Sequence, residues 1–253
     1  MSYKLAILNQ KGGVGKTTTA INLSACLAKC GHHVLLVDLD PQANATSGLG
    51  LVSVDEDPSS YEVLLNDNSL ERAIKHTYID KLDILPSKPA LAASEIELIN
   101  VQNRESVLRK VLAKLNYEFI VIDCPPALGL LTINALVAST SLIIPVQAEY
   151  YALEGLGQLL SIIQRVKETL NPNLSILGVL LTMFDKRTTL SVQVSNELNQ
   201  HFNDKMFTTV IPRNVRLAEA PSFGLSIFEH DKWSKGARAY KQLSKEVEKR
   251  IYG

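Results

Sequence analysis

Between Gln10 and Thr18 the chain reads Q-K-G-G-V-G-K-T-T. Glycines at 12, 13 and 15 free the backbone for dihedrals that other residues avoid, so that it can approach an anion closely. Their N–H groups form a cradle, and a helix starting at Lys16 adds the positive end of its dipole. Lys16 is placed to neutralise β- and γ-phosphates, and the Thr17 hydroxyl to ligate Mg²⁺. Gly12, Gly13, Val14, Gly15, Lys16, Thr17 and Thr18 thus form a candidate nucleotide-binding loop. The usual spacing, G-x-x-x-x-G-K-[ST], needs a glycine five positions before Gly15. Gln10 stands there, followed by a second lysine, Lys11. Two lysines at one loop repel each other unless polyphosphate is present.

Three carboxylates complete the set. V-L-L-V-D-L-D-P-Q (34–42) puts Asp38 and Asp40 at the end of an apolar run, and F-I-V-I-D-C-P-P (119–126) does the same for Asp123. Open α/β sheets bind ligands at the carboxyl edge of their strands. An aspartate ending a hydrophobic strand beside a phosphate loop can hold Mg²⁺, directly or through water.

Positioning these groups requires a strand before the loop, a helix after it, and neighbouring strands that end level with it. The sequence supplies short apolar runs at 5–8, 34–38, 82–86, 119–126, 141–146, 174–182 and 207–212. Most lack alternation, which marks strands buried on both faces, as in a parallel sheet. Helical patterns at 16–30, 61–75, 94–115, 130–138, 153–170, 189–202 and 235–251 lie between them. Gly31 supplies a stop after the first. Alternation along the whole length predicts a doubly wound, mostly parallel α/β sheet forming a single P-loop domain over residues 1–253. Residues 51–60 read as a surface loop.

Composition narrows the function classes. The 253 residues are 46% apolar, enough for a full core, and 26 basic side chains balance 26 acidic ones. Bulk charge therefore gives no case for nucleic-acid binding; only a local patch could. The N-terminal apolar run is too short for a signal peptide, and no stretch of about 18 apolar residues is present. Three cysteines are too few for a disulfide framework, so a reduced, cytoplasmic protein is expected. Cys26 and Cys30, one helical turn apart with no second pair, read as packing residues.

Charge is uneven along the chain. Residues 182–253 hold 12 basic against 8 acidic side chains. On the last helix Lys235, Arg238, Lys241, Lys245 and Lys249 share one face, and Tyr240, Leu243, Val247 and Ile251 form the opposite stripe.

K-G-G-V-G-K-T-T (11–18), D-L-D-P-Q (38–42) and I-D-C-P-P (122–126) resemble the deviant Walker A ATPases. P-V-Q-A-E-Y-Y-A-L-E-G (145–155), L-L-T-M-F-D-K-R-T (180–188) and I-P-R-N-V-R-L-A-E-A-P-S-F-G (211–224) narrow the resemblance to the ParA/Soj group of chromosome- and plasmid-partitioning ATPases. Phe223 departs from a usual histidine, and residues 52–80 match no motif of the group. The resemblance implies a Mg²⁺–ATP-dependent homodimer in which Lys11 crosses the interface to the partner's nucleotide. It also implies that Asp40 positions or activates the attacking water, that Asp38 supports the Mg²⁺ water shell beside Thr17 and Asp123, and that Pro212 and Asn214 contact adenine. Catalytic roles then fall to Lys11, Lys16 and Asp40. Non-specific double-stranded DNA is the implied partner of Arg187, Arg216, Lys235 and Arg238, and would place the protein on the nucleoid. A ParB-type centromere-binding protein is the implied activator of a slow hydrolysis. The alternative is a membrane-cycling ATPase like the related division-site protein MinD. A membrane contact is not expected, because the apolar stripe of the last helix offers too little bulky surface. A P-loop enzyme that phosphorylates a small molecule is a second alternative.

Overall fold

The computed structural model describes residues 2–52, 56–66, 69–149 and 155–253. The strands are β1 (Tyr3–Ile7), β2 (Val34–Asp38), β3 (Lys75–His76), β4 (Leu82–Leu85), β5 (Phe119–Asp123), β6 (Ser141–Gln147) and β7 (Ser175–Thr182). The helices are α1 (Lys16–Lys29), α2 (Asn44–Gly48), α3 (Ser60–Leu65), α4 (Leu70–Ala73), α5 (Leu91–Glu97), α6 (Val107–Leu112), α7 (Leu130–Ala138), α8 (Leu156–Thr169), α9 (Thr189–Phe202), α10 (Val215–Glu219), α11 (Ile227–His230) and α12 (Lys235–Tyr252).

The strands form one seven-stranded sheet in the order β3-β4-β2-β5-β1-β6-β7. All pairings are parallel except β3 with β4. The lack of alternation in the sequence has its expected cause, since every residue of β2 and of β5 is buried. Successive side chains feed cores on opposite faces. Leu35, Val37, Ile120 and Ile122 join one core; Val34, Leu36, Phe119 and Val121 join the other. The register sets the functional edge: Ile7 and Asp38 both pair with Asp123. Three strands therefore end level, and the loop at 8–15 leaves from β1, the first of them in chain order.

Three expected elements differ. Residues 207–212 do not form a strand; only isolated bridges, Val179 to Met206 and Phe184 to Pro212, touch β7 and its continuation. Phe207 and Ile211 N–H groups reach the carbonyls of Val179 and Leu181, but those of Thr208 and Thr209 donate to the Glu246 carboxylate of α12, at 2.8 and 2.9 Å. A side-chain acceptor has replaced the ladder, and Pro212 has no N–H to offer. The helix expected at 61–75 is split. Ser59 caps α3 while its own N–H donates to the Glu62 carboxylate, and the helix stops at Asn66, whose carbonyl accepts from Ser69 Oγ at 2.9 Å. Polar side chains that bond their own backbone compete with helix continuation. Asp67 and Asn68 lie outside the described residues. The helix expected at 94–115 breaks where Val101 is extended and Asn103 takes a left-handed conformation at φ 57°, which asparagine tolerates better than most residues. The expected helix start at 153–154 also lies outside the described residues. In the segment 51–60, Pro58, Ser59 and Ser60 are buried rather than at the surface.

Candidate nucleotide-binding site

The loop after β1 has the backbone that an anion cradle requires. Gly13 and Gly15 sit at φ 74° and 87°, where a side chain would be strained. A Cβ on Gly12 or Gly13 would meet nothing within 4 Å. Open space thus lies against the backbone, as a phosphate needs. Val14 is buried, which anchors the loop from behind. Its carbonyl accepts a 2.8 Å hydrogen bond from Thr182 Oγ1 at the end of β7.

The two lysines are sorted. Lys16 is buried and its ammonium donates to the Lys11 carbonyl at 3.2 Å, inside the loop. Burial lowers its pKa, opposed by the nearby Asp123 carboxylate. Lys11 instead extends to Glu149 Oε2 at 3.1 Å, and its side chain is 38% exposed. An exposed pair of this kind is weak, so Lys11 is free to leave it for a stronger anion.

The carboxylates differ by their surroundings. Asp38 accepts from Asp40 N at 3.1 Å, from Thr46 N at 2.9 Å and from Thr46 Oγ1 at 2.7 Å. Burial nevertheless pushes its pKa up to about 6. Asp40 Oδ1 accepts from Gln42 N at 3.0 Å. Asp123 is fully buried and neither of its oxygens has a hydrogen-bond partner among the described residues. Burial, and then the neighbouring Asp38, raise its pKa well above the ordinary carboxylate range. A buried carboxylate without partners costs free energy unless a cation or bound water satisfies it. Asp123 and the Thr17 hydroxyl therefore fit Mg²⁺, which would polarise the phosphate oxygens and offset their charge.

Pro212 and Asn214 line a pocket of about 360 Å³ together with Gly15, Thr18 and Met183. The fold thus brings both proposed base contacts to the phosphate loop. Asn214 Oδ1 is engaged, accepting from Arg216 N at 2.9 Å as the cap of α10. Met183 holds a left-handed backbone at φ 50°, an uncommon conformation for an unbranched side chain outside a turn glycine. A second cavity, about 640 Å³, lies on the other flank of the loop between Gln10, Lys11, Leu128, Gln147 and Gln158.

A model of the AAA domain family matches residues 2–176. The chain is 56% identical to the sporulation initiation inhibitor protein Soj of Bacillus subtilis (strain 168), over 98% of both chains. It is 50% identical to the chromosome partitioning protein ParA of Myxococcus xanthus, over 97% of this chain and 88% of that one. The chain belongs to the Soj/ParA family of chromosome-partitioning ATPases. Its fold matches a solved cobyrinic acid a,c-diamide synthase from Mycobacterium smegmatis with bound ADP and magnesium, at a TM-score of 0.88 and 37% identity, over 100% of this chain and 96% of that one. One fold carries both names, so the fold alone does not choose an activity. The higher identity to the Soj/ParA proteins does.

For a Soj/ParA-family chain, several informative residues carried no label in the sequence. Thr182 and Glu149 each reach the loop through one long-range contact, and Thr46 holds the Asp38 carboxylate through its N–H and its hydroxyl. The available signal for Thr182 was a polar residue ending an otherwise apolar strand, L-L-T. The basic candidates lie apart from the loop, on the surface. Arg187 makes a two-point contact with Asp185, at 2.9 and 2.7 Å. Arg216 pairs with Glu219 at 2.9 Å and lies 3.7 Å from Asp231. Lys235, Arg238, Lys241, Lys245 and Lys249 are exposed along α12. Of their opposite stripe, Tyr240, Leu243 and Val247 are fully packed in the core and Ile251 is partly buried against it. Among the described residues no helix is long and apolar enough to cross a membrane.

Proposed function

We propose that this chain binds Mg²⁺–ATP, forms an ATP-dependent sandwich dimer, and in that state binds double-stranded DNA without sequence preference. It hydrolyses ATP slowly until a ParB-type centromere-binding protein accelerates the step, and it is cytoplasmic and nucleoid-associated. All of residues 1–253 act as one ATPase domain. Gly12, Gly13, Val14, Gly15, Lys16, Thr17 and Thr18 hold the phosphates, and Pro212 and Asn214 the base. Thr17 and Asp123 hold Mg²⁺, with Asp38 supporting its water shell. Asp40 orients the attacking water.

The observation that carries this reading is the sorting of the two lysines. Lys16 turns into its own loop, whereas Lys11 sits at the rim on a weak pair with Glu149. A rim lysine that gains a second nucleotide's phosphates makes association depend on ATP, because without that charge two such loops repel. The buried apolar stripe of α12 weighs against membrane cycling, since it leaves no apolar face for lipid. The test is size-exclusion chromatography with ATP, with ADP and without nucleotide. Wild type should elute as a dimer only with ATP. Lys11→Ala should remain monomeric while binding ATP within about tenfold, or roughly 1.4 kcal/mol, of wild type. A Lys11→Ala protein that dimerises normally with ATP would remove Lys11 from the interface. A small-molecule kinase would instead turn over as a monomer, with an acceptor in the cavity beside Gln10.

A further inference from the structure

Trp233 is the one tryptophan of the chain, and it is 78% exposed. The turn before α12 holds it in place. Its backbone N–H donates to Asp231 Oδ1 at 3.1 Å, and Ser234, next in sequence, caps the helix by accepting from Ala237 N. The other oxygen of Asp231 lies 3.7 Å from Arg216 Nε. The Lys232 ammonium sits 5.4 Å from the indole centroid, within reach of its π face. Lys235 and Arg238 follow on the first turn of α12, both exposed. One carboxylate therefore ties together a turn that presents an indole and a surface that presents cations.

Cations alone would suit any polyanion. A flat apolar ring among them suits a polymer whose phosphates flank flat, stackable surfaces at a groove. Architectural proteins that bind the minor groove of duplex DNA frequently combine these two elements, with basic side chains on phosphates and an apolar wedge in the groove. We propose that Trp233 is a non-ionic contact to duplex DNA, seated in the groove between phosphates held by Arg216, Lys235 and Arg238. This inference rests on the DNA-binding reading above and adds a contact of a different physical kind. An indole beside lysine also suits a lipid interface. The packed stripe of α12 favours DNA, because with Tyr240, Leu243 and Val247 buried the helix itself has no apolar face to lay on lipid.

A single tryptophan makes the test direct, since emission excited at wavelengths that tyrosine does not absorb reports on this position alone. The ATP- and Mg²⁺-loaded full-length chain is titrated with an unlabelled duplex of arbitrary sequence, and emission is compared with the same protein before DNA. Binding is followed separately by the anisotropy of a labelled duplex over a range of salt. Emission should be quenched or shifted along the same isotherm as the anisotropy. Trp233→Ala should weaken binding about tenfold, the scale of one aromatic contact to a base. That loss should be equal at all salt concentrations, because an uncharged contact releases no counterions. Trp233→Phe should recover most of it. Unchanged emission during a normal anisotropy rise would overturn the proposal while leaving DNA binding intact, and so would a Trp233→Ala protein of wild-type affinity. Absence of any anisotropy change would sink the DNA-binding reading and this contact with it. An emission change on vesicles with anionic headgroups, without one on DNA, would assign the surface to membranes instead.

Discussion

The phosphate site and the basic surface differ in what fixes them. At the site, position comes from the backbone: β1, β2 and β5 end in register, glycine dihedrals shape the loop, and Asp38 faces Asp123 across a ladder. Charge there is buried, on Lys16, Asp38, Asp40 and Asp123. On the surface, position comes from long side chains. Arg187 and Arg216 already pair with Asp185 and Glu219, while α12 displays its lysines to solvent. A strand end tolerates little substitution; a solvated cation has many equivalents. Loss of function should accordingly be steep at the first region and graded at the second.

The largest expected effect is at Lys16. Lys16→Ala should lower ATP affinity by at least about a hundredfold, since no other side chain so directly neutralises the β/γ charge. Calorimetric titration measures it, and unchanged affinity would refute the contrast at its strongest point. Next comes Asp123→Asn. It should abolish Mg²⁺-dependent hydrolysis yet raise the thermal midpoint of the nucleotide-free protein, because the amide stays neutral where the buried carboxyl must keep its proton or carry a buried charge next to Asp38. The sign follows from the raised pKa: a carboxyl favoured in its protonated form stabilises the fold at low pH and loses that contribution as pH rises through its folded value. The gain in thermal midpoint should thus widen as pH climbs from the ordinary carboxylate range towards the raised folded value of Asp123. A lowered midpoint at neutral pH would mean that Asp123 is satisfied in the free chain.

Thr182→Val sharpens the comparison inside the site. It keeps shape but removes the hydroxyl that holds the Val14 carbonyl. ATP affinity should fall about tenfold, near 1.4 kcal/mol, and Thr182→Ser should restore it; failure of serine to rescue would show that the methyl group, not the hydrogen bond, matters. The smallest effects belong to the surface. Arg187→Ala should shift DNA affinity less than Lys241→Ala, because the guanidinium must first leave Asp185. Each true phosphate contact should change the log–log salt slope by about 0.9. A larger slope change for Arg187→Ala would show that its pair opens without cost.

Much of the site was legible because it is local. Loop, following helix and strand-end aspartates are contiguous stretches whose composition states their geometry, and register follows once three apolar runs are parallel. The contacts that were not legible join distant positions. Thr182 and Val14 are 168 residues apart, and nothing in either neighbourhood announces the other. The segment 207–212 has the composition of a strand, yet Glu246 takes two of its N–H groups, an outcome set by where α12 docks. The positive patch was visible as spacing, but the partners of Arg187 and Arg216 depend on rotamers that spacing does not determine. Phe223, noted in the sequence as a departure, stacks on His230 at 5.1 Å.

Helix α12 joins the two regions. Tyr240, buried on its inner side, lines the pocket beside Pro212 and Asn214 and shares a 3.1 Å hydrogen bond with Thr19 of α1, while the outer side carries Lys235, Arg238 and Lys241. An α-helix of this length is a stiff rod about 27 Å long. Any tilt that re-seats Tyr240 against a bound base must swing the outer cations through the same angle, and a force applied to those cations must press back on the pocket.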